Sequence, residues 1–191
     1  TNNRTGETAI GGDQTTTTGG IAYNGNVRLT AATLFTTPNG QNIAFNAGNV
    51  DGGNFNLNFA ASTGTLLFGG TVFNAAQIQN LRTGNVTITG NQTTNGGLIT
   101  HTGPVILAAD TQFSAGAGAI LFGSTIEGSG AARNLDIIGS GGVTFTSTVG
   151  TGSNFIARIQ HLNTGALRIG GGQSTATAIG LIRHVGGGTL T

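Results

Sequence analysis

The sequence predicts an all-β fold, a parallel β-helix or β-solenoid wound from tandem repeats. Three observations lead there. Apolar residues alternate with polar ones over very short stretches, Gly and Asn separate those stretches, and the chain repeats itself at long period.

The strands come first. Period-2 triplets recur as Thr8-Ala9-Ile10, Val27-Arg28-Leu29, Ile43-Ala44-Phe45, Leu57-Asn58-Phe59, Leu66-Leu67-Phe68 and Val86-Thr87-Ile88. They return as Val105-Ile106-Leu107, Ile120-Leu121-Phe122, Leu135-Asp136-Ile137, Val143-Thr144-Phe145 and Leu167-Arg168-Ile169. One face of each is apolar, as a half-buried strand requires. No stretch of about a dozen residues holds an apolar 3.6-residue period, so helices are not expected. Asn24-Gly25, Asn39-Gly40, Asn95-Gly96, Asp51-Gly52 and Glu127-Gly128 supply turns. Asn-Gly also marks antiparallel hairpins. The wide spacing of the strong triplets and the return of the same residue types favour a coil wound in one sense.

The repeat is the second support. IGGDQTTTTGGIAYNGNVRL, beginning at Ile10, matches ITGNQTTNGGLITHTGPVIL, beginning at Ile88, an offset of 78 residues. The register continues through Thr33/Thr111 and Phe35/Phe113, and through NLNF at 56–59 against NLDI at 134–137. IQNLRTGNVTITGNQ from Ile78 then matches IQHLNTGALRIGGGQ from Ile159, an offset of 81. The chain thus divides into a repeat tail (1–9), a repeat (10–87), a second repeat (88–168) and a partial repeat (169–191). All of 1–191 is expected to be one solenoid segment and a piece of a longer array. With Val27, Ile43, Leu66 and Val86 as markers of successive turns, each repeat makes about four turns. It then rises ~19 Å at the ~4.8 Å strand spacing, and like residues stack on like. Phe35/Phe113, Phe45/Phe122 and Phe68/Phe145 are the expected core.

Composition narrows the function classes. Of the 191 residues, 36 are Gly and 7% are charged, against about a quarter in ordinary globular domains. All seven basic residues are Arg, and Cys, Met and Trp are absent. A net charge of +1 offers no electrostatic case for nucleic acid or an anionic membrane. No apolar run approaches the length of a membrane span. Without Cys, disulfides and thiolate chemistry are excluded.

The phrases TTTTGG, NVRL, FNAGNVDGG, GTLLFGGTV and LRTGNVTITGN give the chain a recognisable grammar. From about Thr5 to its last residues it resembles the filamentous-haemagglutinin-like repeats of large bacterial secreted surface proteins, exported by two-partner secretion or autotransporter routes. That resemblance implies a right-handed parallel β-helix serving as an extracellular stalk, fibre or adhesin shaft. It carries no set of functional residues over to this chain.

A search for chemistry gives no catalytic, cofactor-binding or metal-ligating residue. His101 and His184 occupy matching contexts (LITH and LIRH), with Tyr23 at the same place one repeat earlier. Equivalent sites lie ~19 Å apart along such a coil, too far to share one ion, so outward or corner positions are expected for them. His161 takes the place of Asn80. The acids Glu7, Asp13, Asp51, Asp110, Glu127 and Asp136 are scattered, and only Asp51/Glu127, read as turn residues, keep their charge between copies. A polysaccharide-degrading β-helix needs clustered carboxylates, so no enzyme is expected. The calcium-binding nonapeptide and the lysine of a phosphate loop are both missing. Thr15 to Thr18, Thr87/Thr89 and Thr144/Thr146 form no array in one register and reflect the β-propensity of Thr.

The expected function is therefore structural: a secreted segment at the bacterial cell surface whose partners are other copies of itself, packed laterally or end to end. Contact with host, abiotic or neighbouring-cell surfaces is the second expectation. A glycan-binding face on the same coil is the alternative, and exposed aromatics would favour it.

Overall fold

The computed structural model describes residues 6–150, 156–175, 181–185 and 187–191. Among them there is no helix. The chain winds into a β-solenoid of about eight turns, near 22 residues each, with three strand positions per turn. The first turn carries β1 (Thr8–Ile10), β2 (Gln14–Thr15) and β3 (Ile21–Tyr23), and the second β4 (Val27–Leu29), β5 (Thr33–Thr36) and β6 (Ile43–Phe45). The third carries β7 (Val50–Asp51), β8 (Asn56–Phe59) and β9 (Leu66–Phe68), and the fourth β10 (Val72–Ala75), β11 (Gln77–Asn80) and β12 (Val86–Ile88). Then come β13 (Gln92–Thr94), β14 (Ile99–His101) and β15 (Val105–Leu107), followed by β16 (Thr111–Ser114), β17 (Ile120–Phe122) and β18 (Ile126–Gly128). The last turns hold β19 (Arg133–Gly139) and β20 (Val143–Phe145), β21 (Ile156–Asn163) and β22 (Leu167–Ile169), and β23 (Leu181–Val185). There the third position is reduced to single bridges, Ile126 to Val149 and Val149 to Gln173.

Every pairing is parallel, and each strand bonds to the one a turn earlier and a turn later. The first sheet runs β1-β4-β7-β10-β13-β16-β19-β21-β23, the second β2-β5-β8-β11-β14-β17-β20-β22, and the third β3-β6-β9-β12-β15-β18. The Asn-Gly turns therefore join different sheets. Gly40 (φ 80°) and Gly96 (φ 96°) take the left-handed conformation there without closing hairpins.

The turn length differs from the expected one. Ile43, Leu66 and Val86 do stack, in the third sheet. Val27 lies in the first sheet, between Thr8 and Val50, and shares a turn with Ile43. The long repeat carries β1 onto β12, β4 onto β15 and β5 onto β16, eleven strand positions or three and two-thirds turns. Copies consequently do not stack like on like. Phe45 and Phe68 lie in the third sheet, while their counterparts Phe122 and Phe145 lie in the second. Sequence similarity cannot distinguish four turns from one strand fewer, because all three sheets use the same inward-outward-inward triplet.

All six expected core phenylalanines are buried, joined by Phe59. They form ladders along the axis. Tyr23, Phe45 and Phe68 stack at 5.5 and 5.7 Å between ring centroids, Phe35 on Phe59 at 5.3 Å, and Phe122 on Phe145 at 5.4 Å. Ladders from neighbouring sheets meet edge-on, as Phe35 does with Phe45 at 5.6 Å and 84°. Each buried Phe contributes ~1.5–3 kcal/mol, and offset-stacked and edge-on contacts add ~0.5–1.5 kcal/mol per pair. One corner between the first and second sheets is a column of glycines at 97, 118, 141, 165 and 188. A Cβ on Gly141 would stand 2.0 Å from the Gly118 oxygen, and one on Gly165 2.1 Å from that of Gly141. The turns approach too closely for any side chain there.

Candidate functional site

The polar residues that the fold gathers lie inside it. A pair of a glutamine and an aromatic ring recurs once per repeat, buried at Gln92–His101 and half-buried at the other two places. Tyr23 Oη donates to Gln14 Oε1 at 3.1 Å. His101 Nε2 meets Gln92 Oε1 at 2.8 Å, and His184 Nε2 meets Gln173 Oε1 at 2.9 Å. The glutamine oxygen facing Nε2 requires the proton on that nitrogen. Because the repeat spans eleven strand positions, the aromatic member moves from the third sheet (β3) to the second (β14) and then to the first (β23). The three pairs together visit every face of the coil.

The positions of Tyr23 and His101 correct the sequence expectation. Neither is outward or at a corner: Tyr23 is 6% and His101 0% exposed. In Ile21-Ala22-Tyr23 and Ile99-Thr100-His101 the first and third residues point inward together, and Ala22 and Thr100 take the outer face. Burial raises the Tyr23 pKa and holds that of His101 down to about 3, since the charged form of each would lose its water. Gln14, Gln92 and Gln173 recur in IGGDQ, ITGNQ and IGGGQ, but as repeat markers alone they disclose no partner. That recurrence was the available signal.

His101 and His184 are three and two-thirds turns apart, ~18 Å along the axis and too far to share one ion. The histidines that do meet are His161 and His184, in register on β21 and β23 with ring centroids 5.6 Å apart. Burial lowers the pKa of both, and each proton on His161 is further opposed by His184. One repeat earlier the corresponding neighbours are Asn80 and His101, in register on β11 and β14.

Arg82 is the largest fully buried side chain. Its guanidinium donates to Gly64 O at 3.1 Å, to Thr37 Oγ1 at 3.0 Å and to Gln41 O, all of them neutral acceptors. Desolvation lowers its pKa. It ties three turns together at the corner between the second and third sheets.

Apart from Glu7 and Asp51, which line one shallow cavity, the acids do not share a site among the described residues. Asp51 and Glu127 lie in strands β7 and β18, rather than in turns. Glu7 pairs with Arg28 at 3.0 Å, and Asp136 with Arg158 at 2.5 Å, on the outer face. Asp13 and Asp110 accept the backbone N–H of Leu34 and Asn134, each at 2.9 Å, stapling one turn to the next. Among the described residues no three His, Asp or Glu side chains gather in one place. The outer column of the second sheet reads Leu34, Asn58, Gln79, Thr100, Leu121, Thr144, Arg168, so threonine hydroxyls form no array there.

Fold and interior together define a β-solenoid protein. No protein-family model matches the chain, and neither do curated proteins or solved structures.

Proposed function

We propose that this chain is a length of shaft: a structural segment of an extracellular bacterial fibre or adhesin stalk, secreted and self-associating. The carrying observation is the circuit of the glutamine–ring pair, from Tyr23 in the third sheet through His101 in the second to His184 in the first. A chain that rebuilds one cross-section on each face in turn extends length and singles out no face for a ligand. The low charge, 7% of residues, leaves little repulsion against packing of copies. The test is electron microscopy and fibre diffraction of the native material. Filaments with an axial ~4.8 Å spacing support the shaft, and isolated compact particles reject it.

A glycan-binding face is the second reading, favoured by one observation. Phe73, 38% exposed on the outer face of the first sheet, borders a shallow cavity of ≈110 Å³ with Glu7, Asn26, Asn49 and Asp51. An aromatic ring beside acid and amide groups suits a sugar. Loss of polysaccharide retention on Phe73→Ala would favour this reading over the first.

A further inference from the structure

His161 and His184 form more than an edge-on pair. His184 Nε2 donates its N–H to Gln173 Oε1, which leaves Nδ1 with a lone pair, and that atom is buried with no hydrogen-bond partner among the described residues. Nε2 of His161, whose residue is 2% exposed, is likewise buried and unpartnered among the described residues. Both rings line one cavity of ≈140 Å³, walled otherwise by apolar residues such as Leu167, Val185 and Leu190. Two rings with buried, unpartnered nitrogens thus stand on adjacent strands beside one pocket.

We propose that His161 Nε2 and His184 Nδ1 bind a divalent transition cation of the zinc or copper class, with water completing its shell. The spacing fits. Two imidazoles at ~2.0–2.1 Å from one tetrahedral ion set their centroids about 5 Å apart, and here they stand 5.6 Å apart. The hydrogen bond to Gln173 plays the part that an outer partner plays for ligating histidines, fixing tautomer and ring orientation. Imidazole selects zinc, copper or nickel over magnesium and calcium. The cavity accommodates the ion and the waters that a two-histidine site leaves it. The preceding repeat lacks the site because Asn80 stands where His161 does. This assignment is independent of the shaft reading.

The experiment is calorimetric titration of the whole chain with Zn2+, beside electron paramagnetic resonance of the chain loaded with Cu2+. One saturable ion per chain and superhyperfine coupling to two nitrogens are expected. His161→Asn copies the Asn80–His101 arrangement, so the ion-free variant should melt close to the parent. It should bind Zn2+ at least about tenfold more weakly. Absence of saturable binding, coupling to one nitrogen only, or unchanged affinity in His161→Asn overturns the proposal. The nitrogen count is read on the unsubstituted chain and stands even if the variant fails to fold.

Discussion

Gln92 and His101 belong to different sheets, yet their side chains meet at 2.8 Å across a corner of the core. The bond holds a neutral imidazole between Asn80 on one side and Phe122 on the other, in the register of the second sheet. No carboxylate faces the ring from β11, β13, β16 or β17. Protonation there finds neither water nor a counter-charge.

Acid should therefore weaken the coil through His101. Its pKa falls from 6.5 in the unfolded chain to about 3 in the folded one. Between those values the unfolded chain binds a proton that the folded chain does not, so stability drops as pH falls through that window and is fully present above it. His101→Tyr copies the Tyr23–Gln14 pair and removes the titrating group. Melting temperatures followed from pH 7 downward should fall less steeply in the variant, and parallel curves would refute the assignment.

Arg82 should be among the costliest single positions. Arg82→Ala leaves the buried Gly64 oxygen without its donor and takes one partner each from Thr37 Oγ1 and Gln41 O, which keep their bond to each other at 3.1 Å. A buried oxygen without a donor costs ~1–3 kcal/mol, and the lost side chain opens a cavity besides. A loss above about 3 kcal/mol is expected in denaturant unfolding. A loss under about 1 kcal/mol would mean that the three turns are not held there.

The glycine column gives a paired test. Gly141→Ala drives a methyl group to 2.0 Å from the Gly118 oxygen, so the backbone must shift. Gly12→Ala meets nothing within 4 Å and should be neutral or stabilise by ~0.4–1 kcal/mol. Equal melting temperatures for the two variants would contradict the close packing of turns at that corner.

The strands were legible in the sequence because period-2 triplets are a local signal. Phe35, Phe45, Phe68, Phe113, Phe122 and Phe145 lie in the core as their triplets indicate. The turn length was not legible. Val27 and Ile43 look alike as triplet heads, and only pairing across the coil shows that they share a turn. The interior polar residues were hidden for a related reason. Gln, His and Arg read as surface residues in a chain with so few charges, and nothing local shows that Arg82 has three carbonyl and hydroxyl oxygens waiting one and two turns away. The meeting of His161 with His184 also depends on turn length, since the two belong to different phrases of the repeat.

Eleven strand positions per repeat against three per turn amount to a screw operation. Each copy advances ~18 Å along the axis and lags by a third of a revolution, and three copies restore the starting azimuth. An array continued by that rule carries its markings as a slow spiral, like the stripe on a barber's pole. It has no front or back, so if copies associate as proposed, they would gather around it in bundles instead of lining up side by side as ribbons.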